Sequence, residues 1–122
     1  SDRAVKRAGL DYWKYLDITV YKNYEEFLHK NHGQFYYCST KGQKIYSDAD
    51  MTDKSLYLVF GKETKGLDEQ LLKSNYDRCI RIPMIDDARS LNLSNSVAVI
   101  GYEALRQQGF LSLKTKGELT II

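Results

Sequence analysis

Residues 80–108 constrain the fold of this chain more than any other stretch. Ile80, Ile82 and Met84 alternate with Arg81 and with Pro83, the only proline in the chain. That pattern predicts a short buried strand ending at Pro83, because proline cannot donate to a sheet ladder. Turn-forming polar residues crowd positions 86–92. A long apolar segment then starts at Asn92 or Ser94, either of which can accept a hydrogen bond from the first free backbone N–H groups of a helix. The helix is expected to run to Gln108 and to stop at Gly109, which tolerates the left-handed conformation found just past helix ends.

The helix is apolar on more than one face. Val97, Ile100, Ala104 and Leu105 form a stripe, while Ala98, Val99 and Tyr102 lie outside it. A surface helix needs a single stripe, so this one is expected either as a central core helix or between its own sheet and a second subunit.

The rest of the chain alternates strands and helices. Residues 1–13 read as a helical or turn region. Arg3, Lys6 and Arg7 fall there at helical spacing and Lys14 follows; they are a solvated face or, as the alternative, a patch for RNA phosphate. Residues 17–21 form a β-branched strand, and Asn23 caps a short helix over 24–30 with Glu26 at the capping-box position. Residues 34–39 form a second strand, closed by a turn at Thr40, Lys41 and Gly42. Residues 55–60 are almost wholly apolar and form a third, which implies a sheet covered on both faces. Asp68 opens a helix to about Ser74. The expected class is α/β, a mainly parallel sheet with helices on both faces, in one domain over residues 1–122.

Composition excludes several functions. A net charge of +2 gives no strong field for nucleic acid, so an RNA partner would have to meet a local patch. Cys38 and Cys79 have no CxxC spacing and no nearby histidine pair, so a metal site is not expected; they read as reduced, buried thiols of a cytoplasmic protein. No apolar run approaches the length of a membrane span.

Two loops follow strand ends. In the first, residues 61–67, glycines allow close backbone approach to a ligand or a turn with positive φ. Gly61 and Gly66 have the gap of a P-loop, but Leu67 and Asp68 stand where Lys and Ser/Thr must meet phosphate and magnesium. No G-x-G-x-x-G run is present either. On its own this loop reads as a bare glycine turn; a generic α/β nucleotide-binding module is a separate and poor reading, because both fingerprints fail.

Together with the second loop, over 84–95, the pattern is more specific. F-G-x-E-x-x-G-L, followed by I-P-M and S-L-N-L-S-N-S-V, resembles the SPOUT class of RNA methyltransferases, most closely the small tRNA 2′-O-methyltransferases of the wobble nucleotide. R-A-G-L-D-Y-W near the start, S-T-K-G at 39–42 and Y-E-A-L-R-Q at 102–107 add to the resemblance, which covers nearly the whole chain. Lys62 stands where proline is common in that family. The family's first strand and its arginine-bearing first motif have no counterpart before Ser1, so the resemblance implies a member lacking them.

The resemblance further implies a deep C-terminal trefoil knot, a homodimer, S-adenosyl-L-methionine as cofactor and tRNA as substrate, with no membrane and no metal. By motif matching, cofactor contacts fall at Cys38, Gly61, Ile82, Met84, Ser90 and Leu91. Glu63 and Asn92 match polar positions of the active site, with orienting roles. A knotted dimer that binds cofactor or RNA without turnover is the alternative function.

Overall fold

A computed structural model describes residues 32–61, 66–85 and 92–121. The region expected over 1–13, the strand over 17–21 and the helix over 24–30 lie outside the described residues.

Among the described residues the sheet has four strands in the order β2-β4-β1-β3: β1 is Gln34–Cys38, β2 Lys44–Ile45, β3 Leu56–Phe60 and β4 Cys79–Arg81. All of its pairings are parallel. Tyr36 lies opposite Leu58, and Tyr37 lies between Val59 on one side and Cys79 on the other. Because strand side chains alternate between faces, this register builds two separate cores.

One core gathers Tyr36, Ala49, Met51, Ile80, Ile100 and Ala104, with Cys38, Leu56, Leu58, Phe60 and Ile82 packed against it. The other gathers Tyr37, Leu72 and Cys79, with Phe35, Val59, Leu67 and Leu71. Helix α1, Glu69–Ser74, supplies Leu72 to the second, and helix α2, Leu93–Gln107, supplies Ile100 and Ala104 to the first. Helices therefore cover both faces, as the near-continuous apolar run of β3 requires. Phe35 and Tyr57 meet edge to face, with ring centroids 5.2 Å apart.

Both helix starts follow from local chemistry. Asp68 Oδ2 accepts from Leu71 N at 3.3 Å, and Asn92 Oδ1 accepts from Asn95 N at 2.8 Å. The end of α2 is a Schellman closure: Gly109 N donates to Arg106 O and Phe110 N to Leu105 O, with Gly109 at φ +83°.

Two expectations shift. The strand through residue 80 leaves the ladder at Arg81, before Pro83. Its partner β2 ends at Ile45, opposite Arg81, and the residue preceding a proline is itself restricted. Strand β2 falls between the turn at 40–42 and the strand over 55–60, where the sequence predicts no element, since two exposed residues carry no readable periodicity.

The link from β1 to β2 is the least ordinary part of the fold. Cys38 and Lys44 both pair with Ile80, from opposite sides of β4. Residues 39–43 must therefore cross β4 like a strap. Gly42 is buried where they cross, and a Cβ there would lie 3.0 Å from the carbonyl carbon and oxygen of Cys79. Only glycine lets two backbones approach so closely.

Candidate functional site

In open parallel sheets, ligands bind beyond the carboxyl ends of strands. Here β1, β3 and β4 end side by side. Cys38 is opposite both Phe60 and Ile80, so Gly61 follows directly on β3 and Ile82 directly on β4 at neighbouring positions of that edge. Met84 lies two residues further on and is half-buried, while Ile85 is fully exposed. Four of the residues expected to hold the cofactor thus belong to one edge of the sheet. Glu63, Ser90 and Leu91 lie outside the described residues.

Three of these positions, Cys38, Gly61 and Ile82, present mainly backbone. The side chain of Ile82 packs on the larger core, as does that of Cys38. Burial raises the pKa of the Cys38 thiol, with the Cys79 sulfur adding to it; burial, then Asp77, does the same for Cys79. Both stay protonated at neutral pH and offer no thiolate nucleophile or metal ligand. The strand ends offer peptide groups beside apolar side chains, which fits a cofactor read by backbone groups.

Gly61 requires a different explanation from close approach to a ligand. A Cβ at this position would run into the backbone of Gly66 and Leu67, so the two ends of the 61–67 loop rest on each other. Gly66 supplies the positive-φ turn that the sequence anticipates, at φ +68°. Glycine at 61 is thus demanded by the closure of its own loop.

Asn92 begins α2, and its side-chain oxygen is engaged as the helix cap. The strap is held by groups that the sequence reading passed over. Arg81 donates from Nη1 to Thr40 O at 3.0 Å and from Nε to Ile82 O at 3.3 Å. Tyr76 Oη donates to Lys41 O at 2.8 Å. Lys41 Nζ also meets Glu69 Oε2 at 2.8 Å, an exposed pair that contributes little to stability. The signal that could have pointed here is Gly42 itself, a glycine that no turn of positive φ requires.

Among the described residues, no group of three or more His, Cys, Asp or Glu side chains could hold a metal ion. No helix among them is long and apolar enough to cross a membrane.

The model of the SpoU rRNA methylase family matches residues 1–102. The chain belongs to that family. This SpoU-family chain is 52% identical over 115 residues to a Listeria innocua protein provisionally named a tRNA (cytidine(34)-2′-O)-methyltransferase, covering 92% of this chain and 68% of the relative. It is 41% identical over 111 residues to the tRNA (cytidine(34)-2′-O)-methyltransferase of Escherichia coli K12, covering 89% and 70%. Its fold is similar to a crystal structure from Bacillus anthracis described provisionally as an RNA methyltransferase, with TM-score 0.75, 45% identity and coverage of 95% and 75%. It also resembles the AdoMet-bound rRNA methyltransferase of Sinorhizobium meliloti, at TM-score 0.59 and 29% identity, covering 69% and 33%. The parallel SpoU-type sheet with helices on both faces agrees with the fold class read from the sequence.

Proposed function

We propose that this chain is an S-adenosylmethionine-dependent RNA methyltransferase acting on a ribose 2′-hydroxyl of tRNA, at the wobble nucleotide 34. The relatives' names support the substrate and position, and the AdoMet-bound neighbour supports the cofactor. The observation that carries the reading is the shared edge of β1, β3 and β4, where Cys38, Gly61 and Ile82 stand at adjacent strand ends.

When bound, the cofactor would supply a methyl group from its sulfonium to the ribose oxygen and would leave as the neutral thioether. The chain's own task is to position the two partners, where alignment at about 3–3.5 Å contributes much of the acceleration. Cys38, Gly61, Ile82, Met84, Ser90 and Leu91 hold the cofactor, mainly through backbone groups. Glu63 and Asn92 orient the ribose, whose hydroxyl proton must be removed or shared as the bond forms.

The strap over β4 supports the further reading of a C-terminal trefoil knot, because β4 lies beneath a covalent bridge before the chain continues into α2. Tyr102 on α2 is 38% exposed and belongs to an interface between two copies of the chain, which act on tRNA in the cytoplasm. Residues 1–122 form one methyltransferase domain.

The test is transfer of a labelled methyl group to unmodified tRNA, with the product located by nuclease digestion and mass spectrometry. Label on the 2′-oxygen of nucleotide 34 is expected. Bound cofactor with no label in tRNA would leave a binding protein without turnover. Sedimentation should give twice the 14.1 kDa chain mass; a monomer would count against the dimer.

A further inference from the structure

We infer that Tyr76 and Arg81 are positioning residues for the cofactor edge, acting through the strap of residues 39–43. The inference rests on the cofactor reading above and adds what keeps that edge in place.

The strap continues directly from Cys38, so any opening of it moves one wall of the site. Its own backbone offers little resistance. Within it, Gly42 N donates to Ser39 O and Lys41 N donates to Ser39 Oγ, both in the turn itself. The remaining restraint comes from β4 and from the residues just before it. Ser39 N continues the ladder to Ile80 O at 3.0 Å. Beyond that point the carbonyls of Thr40 and Lys41 are held only by side chains among the bonds described. Tyr76, in the single turn of 3-10 helix Tyr76–Arg78, reaches Lys41 O. Arg81 bonds Thr40 O and Ile82 O together, which ties the strap to the start of the second cofactor loop.

A guanidinium can bridge two such acceptors because its donors are fixed in a fork; an ammonium cannot reproduce that spacing. Tyr76 is 40% exposed, so its ring contributes modestly to the core and its hydroxyl can be removed without leaving a cavity. Loss of either pin lets the strap open locally while the sheet persists. Cofactor then binds only the closed fraction, and its apparent dissociation constant rises in proportion. Once bound it closes the strap again, so turnover at saturating cofactor is preserved.

The experiment compares the unaltered protein with Tyr76→Phe, Arg81→Lys and the double variant. S-adenosylhomocysteine affinity is measured by titration calorimetry, and exchange of the Gly42 amide is followed by NMR without ligand. Each single variant should weaken binding about 3- to 10-fold, the range expected from one net hydrogen bond. The double variant should bind more weakly than either. Gly42 exchange should accelerate, the thermal midpoint should fall by only a few degrees, and saturated turnover should remain within about twofold, as expected when the closed site is unchanged. Glu69→Gln, which removes only the exposed Lys41 pair, should bind like the unaltered protein. Unchanged affinity in both single variants would overturn the inference, as would faster Gly42 exchange without weaker binding. If the unaltered protein fails to bind S-adenosylhomocysteine, the cofactor reading falls, and this inference with it.

Discussion

Gln107, in the last turn of α2, grips the backbone around Met51. Its Oε1 accepts from Met51 N at 2.7 Å, while its Nε2 donates to Ala49 O at 2.9 Å and to Glu103 Oε2 at 2.7 Å. The neighbouring Gln108 adds a bond from Nε2 to Met51 O at 2.9 Å. Met51 is fully buried, so its N–H has no water to replace a lost partner. Gln107→Leu should therefore destabilise the protein by about 1–3 kcal/mol, the cost of an orphaned buried donor. Gln107→Glu keeps the acceptor for Met51 N but loses both donors and places a second carboxylate beside Glu103, so it should not restore stability. Urea denaturation of the two variants checks both expectations.

Asn92 separates a capping role from a catalytic one. Removing the cap with Asn92→Ala should cost about 1 kcal/mol of stability. Asn92→Asp preserves the acceptor for Asn95 N and should fold as well as the unaltered protein. If Asn92 also orients the ribose through its amide, methyl transfer by Asn92→Asp should drop at least tenfold. Full activity in that variant would reduce Asn92 to a helix cap.

Gly61→Ala should destabilise the protein even without cofactor. The added methyl meets the backbone of Gly66 and Leu67, and overpacking of this kind costs about 1–3 kcal/mol. Denaturation of the ligand-free variant is the decisive measurement, because a glycine needed only for ligand approach would leave that stability unchanged. Cofactor affinity should fall as well, since the loop can no longer close.

Ile100 is 1% exposed, between the sheet and the body of α2. Ile100→Ala should cost about 2–5 kcal/mol, while Ile100→Val should cost about 0.5–1.5 kcal/mol. Equal small losses in both would mean that α2 is not seated on Tyr36 and Ile80.

Stability should decline on the acid side partly through Glu103. The Arg106 hydrogen bond, with help from Gln107, holds its carboxyl below the ordinary value of 4.5, against the opposing effect of burial. In the unfolded chain this carboxyl takes up its proton more readily than in the native protein. Its contribution is therefore complete above the unfolded value and is lost as pH falls through the lower folded value. Glu103→Gln should flatten the stability profile below about pH 4.5 relative to the unaltered protein, as measured by thermal unfolding across pH.

Signals that act within a few residues were legible in the sequence. The apolar runs placed β1 and β3 to within a residue, Asp68 and Asn92 marked the helix starts, and Gly109 marked the end of α2. Unbroken apolarity in β3 required cover on both faces, and the motifs around Gly61 and Ile82 led to the methyltransferase family. Tertiary structure alone decided what crosses what. The Tyr76–Lys41 bond spans 35 positions and the Gln107–Ala49 bond spans 58, and no periodicity links residues so far apart. Gly42 looks like any turn glycine until β4 is found beneath it. Gly61 looks like a ligand-facing glycine until Gly66 and Leu67 are found against it. Local propensity depends on the residue and its near neighbours, whereas a close approach depends on which distant backbone occupies the space.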